Sequence, residues 1–149
     1  MKHRVAFRRL GRSSSHRWSL LRTQVSQLVE HERIETTIQK AKELRRIADK
    51  VITWGKEGTI AARRHAAGVL RRDEQVKKVF GELAERYKER DGGYTRVIRT
   101  QKRRDDAAQL AFIEYIDRPG ELRTPRQPRK NTAFLPTAAA QLKLSETGH

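Results

Sequence analysis

Two adjacent carboxylates, Asp105 and Asp106, and five histidines, His3, His16, His31, His65 and His149, are the side chains with which this chain could attempt catalysis. A nuclease would use such carboxylates to hold magnesium. Neighbouring aspartates in a loop more often shape a turn. No two of the histidines stand at the i, i+4 spacing of a metal-binding helix. Asp91-Gly92-Gly93 lacks the lysine and the spacing of a nucleotide cradle, and no nucleophile motif is present. The expectation is a protein that is not an enzyme, with no cofactor, no metal and no small-molecule substrate.

The cations point elsewhere. Met1–Trp18 reads MKHRVAFRRLGRSSSHRW and carries six Lys or Arg side chains, Lys2, Arg4, Arg8, Arg9, Arg12 and Arg17, with no carboxylate. So short and basic a stretch cannot build a core. It can neutralise phosphates, of which a nucleic acid duplex offers one per ~1.7 Å of axis, and arginine forks grip phosphate oxygens two at a time. The reading is an extended arm along a nucleic acid backbone. His3, His16 and Trp18 add flat rings that can stack on bases, although Trp18 lies on an apolar helical stripe and is assigned to the core.

A second acid-free cluster, Thr95–Arg104, holds Arg96, Arg99, Lys102, Arg103 and Arg104. On a regular strand Arg96 and Arg99 point to opposite faces, while Lys102-Arg103-Arg104 projects from a hairpin tip toward a groove. A third set, Lys42, Arg45, Arg46 and Lys50, sits off the stripe of a helix and is diluted by Glu43 and Asp49. Arg63-Arg64 and Arg71-Arg72 are read as ordinary helix-end charges, and Glu30, Glu32 and Glu35 as local ion-pair partners.

Over the whole chain 34 Lys+Arg stand against 18 Asp+Glu, a formal charge of +16. Such a charge repels itself unless a polyanion is the usual neighbour. An anionic membrane would be one, but no apolar run is long enough to span a bilayer. Cysteine is absent, which excludes disulfides and thiolate metal sites. The N-terminus has no apolar h-region, so it does not read as a secretory signal.

Periodicity then supplies the elements that must aim these cations. One helix starts near Ser14–Ser15, with Trp18, Leu21, Val25 and Leu28 on one stripe, and stops near His31. Arg33–Thr36 reads as a brief strand. A long helix, capped by Thr36 or Thr37, buries Ile38, Ala41, Leu44, Ala48 and Val51 and stops at Gly55. Thr59 caps a short helix to about Ala67. Asp73 caps a fourth, with Val76, Val79, Phe80, Leu83 and Tyr87 buried, ended by Gly92-Gly93. Tyr94–Gln101 and Leu110–Ile116 read as strands joined by Lys102–Ala108. The organisation is an arm over residues 1–15, one domain over 16–117 and a Pro- and Arg-containing extension over 118–149, in which Ala138–Leu144 is a nascent helix too short to stand alone.

These residues match a known pattern. Arg9–Arg17 (RLGRSSSHR), His31–Ala48 (HERIETTIQKAKELRRIA), Ile52–Gly58 (ITWGKEG), Arg86–Ile98 (RYKERDGGYTRVI) and Asp106–Glu114 (DAAQLAFIE) together resemble the bacterial-type large-subunit ribosomal protein L-seventeen family. The resemblance implies an α+β fold, about four helices packed around a small sheet with a C-terminal β-hairpin. It implies a non-catalytic role, binding large-subunit rRNA near the outer end of the peptide exit tunnel, beside neighbouring large-subunit proteins. Carried over onto the matching motifs, Arg9, Arg12, Ser15, His16 and Arg17 would touch rRNA, joined by Arg45, Arg46, Tyr94 and Arg96.

The chain departs from the family pattern at Gly11, where Asn is frequent, and at Asp105, where Gly is common. Met1-Lys2-His3-Arg4 begins where family members begin, which argues against a transit-peptide reading of the arm. The wording of RRLGRSSSHR, TWGKEGT and IEYIDRP leans toward plant and algal mitochondrial members, with bacterial cytoplasm and chloroplast stroma as the other compartments. The charge alone suits a general DNA-binding architectural protein equally well, and a competition between rRNA fragments and DNA separates the two.

Overall fold

Ser13, with extended backbone, precedes the first helix, and from Ser14 the apolar stripe takes over. The computed structural model describes residues 7–123. Lys2, His3, Arg4 and the expected helix at Ala138–Leu144 lie outside the described residues. Among those described are four helices and one three-stranded sheet, an α+β arrangement. The helices are α1 (Ser14–His31), α2 (Ile38–Glu57), α3 (Ile60–Val69) and α4, which begins as Asp73–Lys78, widens into a π turn over Val79–Leu83 and closes with Ala84–Arg86. The strands are β1 (Arg33–Thr37), β2 (Thr95–Lys102) and β3 (Gln109–Tyr115).

β3 is the central strand, antiparallel to both neighbours in the order β1-β3-β2. Its alternation explains its place: Ala111, Ile113 and Tyr115 are fully buried on the face that α2 covers. Leu28, Val29, Leu44, Val51, Ile52, Val79 and Leu83 complete the core between helices and sheet. Thr59 caps α3 as expected, its hydroxyl accepting a hydrogen bond from the Ala62 amide at 3.1 Å.

Asp73 does not cap α4 but is its first helical residue, after Arg72, and the helix ends at Arg86, ahead of Gly92-Gly93. Two expectations on α1 and α2 also need correction. Gly55 does not end α2: the helix runs on to Glu57, and Gly58, at φ 67°, is the left-handed cap. Gly55 lies buried where α2 meets α4, and a Cβ there would fall 2.8 Å from the Val79 carbonyl oxygen. The glycine permits a close approach between helices. Trp18 is not a core residue: it is 44 % exposed while Leu21, Val25 and Leu28 of the same stripe are buried. In the first turn of α1 it lies past the edge of what the other helices cover.

The ordered structure also continues past Asp117. Arg33 donates to the Gly120 carbonyl at 2.6 Å and Arg96 to the Arg123 carbonyl, so the first residues of the expected extension lie across the outer face of the sheet.

Candidate nucleic-acid interface

The described part of the arm does not run straight out. Leu10 and Gly11, at φ 56° and 65°, form a left-handed pair, and the Arg12 amide returns to the Arg9 carbonyl at 3.2 Å. Glycine takes this conformation freely, so Gly11 fits the turn. The Arg12 guanidinium closes the turn on the Leu10 carbonyl at 2.6 Å. Arg17, on α1, donates to the Arg8 carbonyl at 3.1 Å. The turn lies on α2: Arg8 stands 4.0 Å from Glu43, and the Arg46 guanidinium sits 5.0 Å from the centre of the Phe7 ring. Arm, α1 and α2 thus bring Arg8, Arg17, Arg46 and Lys50 to one surface. Arg9, Ser15 and His16 are exposed beside them.

At the hairpin the pairing is regular from Thr95 to Arg99, so Arg96 and Arg99 do point to opposite faces. The register slips between Arg99 and Lys102, an irregularity that turns the strand end. Lys102, Arg103 and Arg104 are exposed at the tip. Asp106 shapes the loop, accepting from the Ala108 amide at 3.1 Å and standing 3.7 Å from Arg103. The left-handed residue there is Ala107, at φ 52°, rather than Asp105. No cluster of three or more metal-ligating side chains exists among the described residues, and none of their helices is long and apolar enough to cross a membrane.

Two candidates fall away from this surface. Tyr94 is 3 % exposed, its ring packed against Tyr87 in the core with centroids 5.2 Å apart. Arg96 is taken by the fold: it lies 3.7 Å from both Glu114 and Glu121. Glu114 is fully buried, directly across the sheet from Arg33 and Arg96, and accepts from the Arg33 Nε at 2.8 Å. Arg45 lies near Asp49, whose carboxyl is pushed up by burial even though the Thr95 hydroxyl, 2.9 Å away, and Arg45 pull it down.

The acidic residues near α1 are not local partners. Glu32, the left-handed cap of α1, takes Arg86 at 2.7 Å and Lys78 at 3.0 Å from α4. Burial raises its carboxyl pKa, but the hydrogen bonds from Arg86 and Lys78 outweigh that and hold it at about 2. Glu30 meets Arg72 at 3.6 Å, and Arg71 donates to the Ser19 hydroxyl at 3.2 Å. The arginines after α3 therefore tie helices together.

By contrast Arg9, Arg46, Lys50, Arg99, Lys102 and Arg104 have no ion-pair partner among the described residues. Sequence reasoning also missed Phe7 and Trp54 as exposed or half-exposed rings on the arm side. The signal lay in Lys50 and Trp54, four residues apart on the polar side of α2.

Comparison with known proteins identifies the family. The family described as Ribosomal protein L17 matches residues 20–116. A protein named large ribosomal subunit protein bL17 from Fusobacterium nucleatum is 47 % identical over 116 residues, 78 % of this chain and 100 % of the relative. Its namesake in Zymomonas mobilis is 53 % identical over 118 residues, covering 79 % and 84 % of the two chains. The one from Geobacter metallireducens, 46 % identical over 140 residues, covers 94 % of this chain and 79 % of its own, so the similarity reaches into the segment past Asp117. These relatives are bacterial and lend the mitochondrial leaning no support. The family is structural and non-enzymatic. With its motifs, its fold and these relatives in agreement, the chain belongs to the ribosomal protein L17 family.

Proposed function

We propose that this chain is a structural constituent of the large ribosomal subunit that binds large-subunit rRNA through phosphate contacts, near the peptide exit tunnel and beside neighbouring ribosomal proteins. The observation that carries the reading is the division of its cations. Arg33, Arg86, Arg90 and Arg96 are matched by carboxylates, whereas Arg9, Arg46, Lys50, Arg99, Lys102 and Arg104 stand on the surface without one among the described residues. Unmatched positive charge on a folded surface is what a phosphate backbone offsets. The printed names of the relatives, large ribosomal subunit protein, support the same reading. The tunnel placement rests on the resemblance of the motifs.

The test is binding to large-subunit rRNA across a salt series. With ~8 phosphates engaged, raising salt from about 50 to about 200 mM weakens binding roughly 10⁴-fold. A shallow dependence, or absence of the protein from large subunits sedimented at low salt, overturns the proposal. Equal affinity for duplex DNA in competition favours the architectural reading instead. Cross-links from the hairpin tip to rRNA remote from the exit side would remove the tunnel placement alone.

A further inference from the structure

We infer that the cavity between the arm turn, α1 and α2 is a seat for one unpaired nucleobase of the bound RNA, stacked on Trp18, with its phosphate drawn to Arg17, Arg46 and Lys50. The inference rests on the RNA-binding reading above and names a site within it. The cavity measures about 370 Å³. Its floor is apolar, made by Leu21, Ile47 and Val69. Three aromatic rings wall it: Phe7, 53 % exposed, Trp18, 44 % exposed, and Trp54.

The rings are not equivalent. Trp54 is stacked on His65, centroids 5.6 Å apart, and has the Lys50 ammonium 5.4 Å from its centre. Phe7 has Arg46 at 5.0 Å and Arg17 at 5.9 Å. Trp18 has neither a ring nor a cation on it among the described residues, so its face is open.

Charge selects the occupant. Three cations line the cavity against one carboxylate, Glu43, which stands 4.0 Å from Arg8 and is largely covered. An apolar protein segment would fill the floor and leave those cations unmatched. A nucleotide satisfies both, with a flat heterocycle for the indole and a phosphate for the rim. Bases inside an A-form helix have no free face, so the ligand is an unpaired one.

Both tryptophans of the chain line this cavity, so the intrinsic fluorescence of the full chain is its own reporter. The probes are a single-stranded oligoadenylate, an abasic ribose-phosphate oligomer of equal length and a blunt RNA duplex, with anisotropy of labelled probes reporting total binding. Oligoadenylate alone quenches the indole emission. Trp18→Ala weakens its binding about tenfold, as expected for loss of one stacked base. The same variant leaves abasic-oligomer binding unchanged, and Trp18→Phe restores most of the affinity. Oligoadenylate binding without quenching, or an equal loss for the abasic oligomer, overturns the seat and leaves the RNA reading intact. Absence of binding to all three probes overturns both. Phe134 and Leu135 are adjacent apolar residues of the 118–149 extension; an indole emission that shifts in the full chain carrying Phe134→Ala and Leu135→Ala, or a dimer that Trp18→Ala dissolves, assigns the cavity to the chain itself and overturns the inference.

Discussion

Cations around the sheet and α4 and cations on the arm side and at the hairpin tip carry the same charge in different surroundings. Arg33, Arg86 and Arg90 each have a carboxylate oxygen within 2.7–2.9 Å, and Arg96 lies between Glu114 and Glu121. Arg9, Arg46, Lys50 and Arg104 have no such partner among the described residues. A cation paired with a buried carboxylate cannot leave it for a phosphate without stranding that carboxylate. Position, rather than residue type, therefore sorts a basic chain into cations that hold the fold and cations left without an ion pair among the described residues.

The hardest test of that division is Glu114→Ala. It removes the buried carboxylate that Arg33 and Arg96 share across β3, leaving Arg96 with Glu121 alone, and unfolding by denaturant should show a loss of about 3–5 kcal/mol. The salt dependence of RNA binding by the folded fraction should not move; a shallower slope would show that the sheet-side arginines also contact RNA.

Glu32 gives the next effect. Its carboxyl is held at about 2 in the fold, against 4.5 when unperturbed. Because the folded value is the lower one, its stabilisation is complete above about 4.5 and drains away as pH falls toward 2. That amounts to roughly 2–3 kcal/mol of acid-labile stability, which Glu32→Gln should remove from the pH profile between those limits. A variant with an unchanged acid limb would place the sensitivity elsewhere.

Gly55→Ala separates the two faces of α2. The added methyl meets Val79, and thermal melts should register about 1–3 kcal/mol of destabilisation despite the better helix propensity of alanine. On the opposite face of α2 Arg46→Ala, and at the hairpin tip Arg104→Ala, should change stability by no more than ~0.5 kcal/mol. Each should lower the slope of binding against salt by about one. Stability lost at Arg104 with the slope intact would erase the distinction.

Much of the fold could be read from the chain because it is encoded locally. The period of Leu21, Val25 and Leu28, the stripe from Ile38 to Val51, the Thr59 cap and the alternation in LAFIEY each need only near neighbours to be interpreted. What escaped depends on distant ones. Gly55 and Gly58 look alike in sequence, and only the approach of Val79 tells the packing glycine from the capping one. Trp18 shares the phase of buried residues but lies one turn beyond the reach of the neighbouring helices. Arg96 reads as free until β3 brings Glu114 opposite it. The arm-side candidates were legible as a composition, whereas the cavity needed the turn at Leu10-Gly11 to carry Phe7 onto α2.

The order β1-β3-β2 also sets a timetable for a chain made from its N-terminus. Arg33 is translated 81 residues before Glu114, the residue it faces across the sheet. At ~5–20 residues per second, β1 waits roughly 4–16 s for its one strand neighbour among the described residues. A greasy edge would be hazardous over that interval, but this one reads RIETT, with charge and threonine in place of a continuous apolar run. The helices can condense during the wait, and the last strand to emerge closes the sheet through its middle.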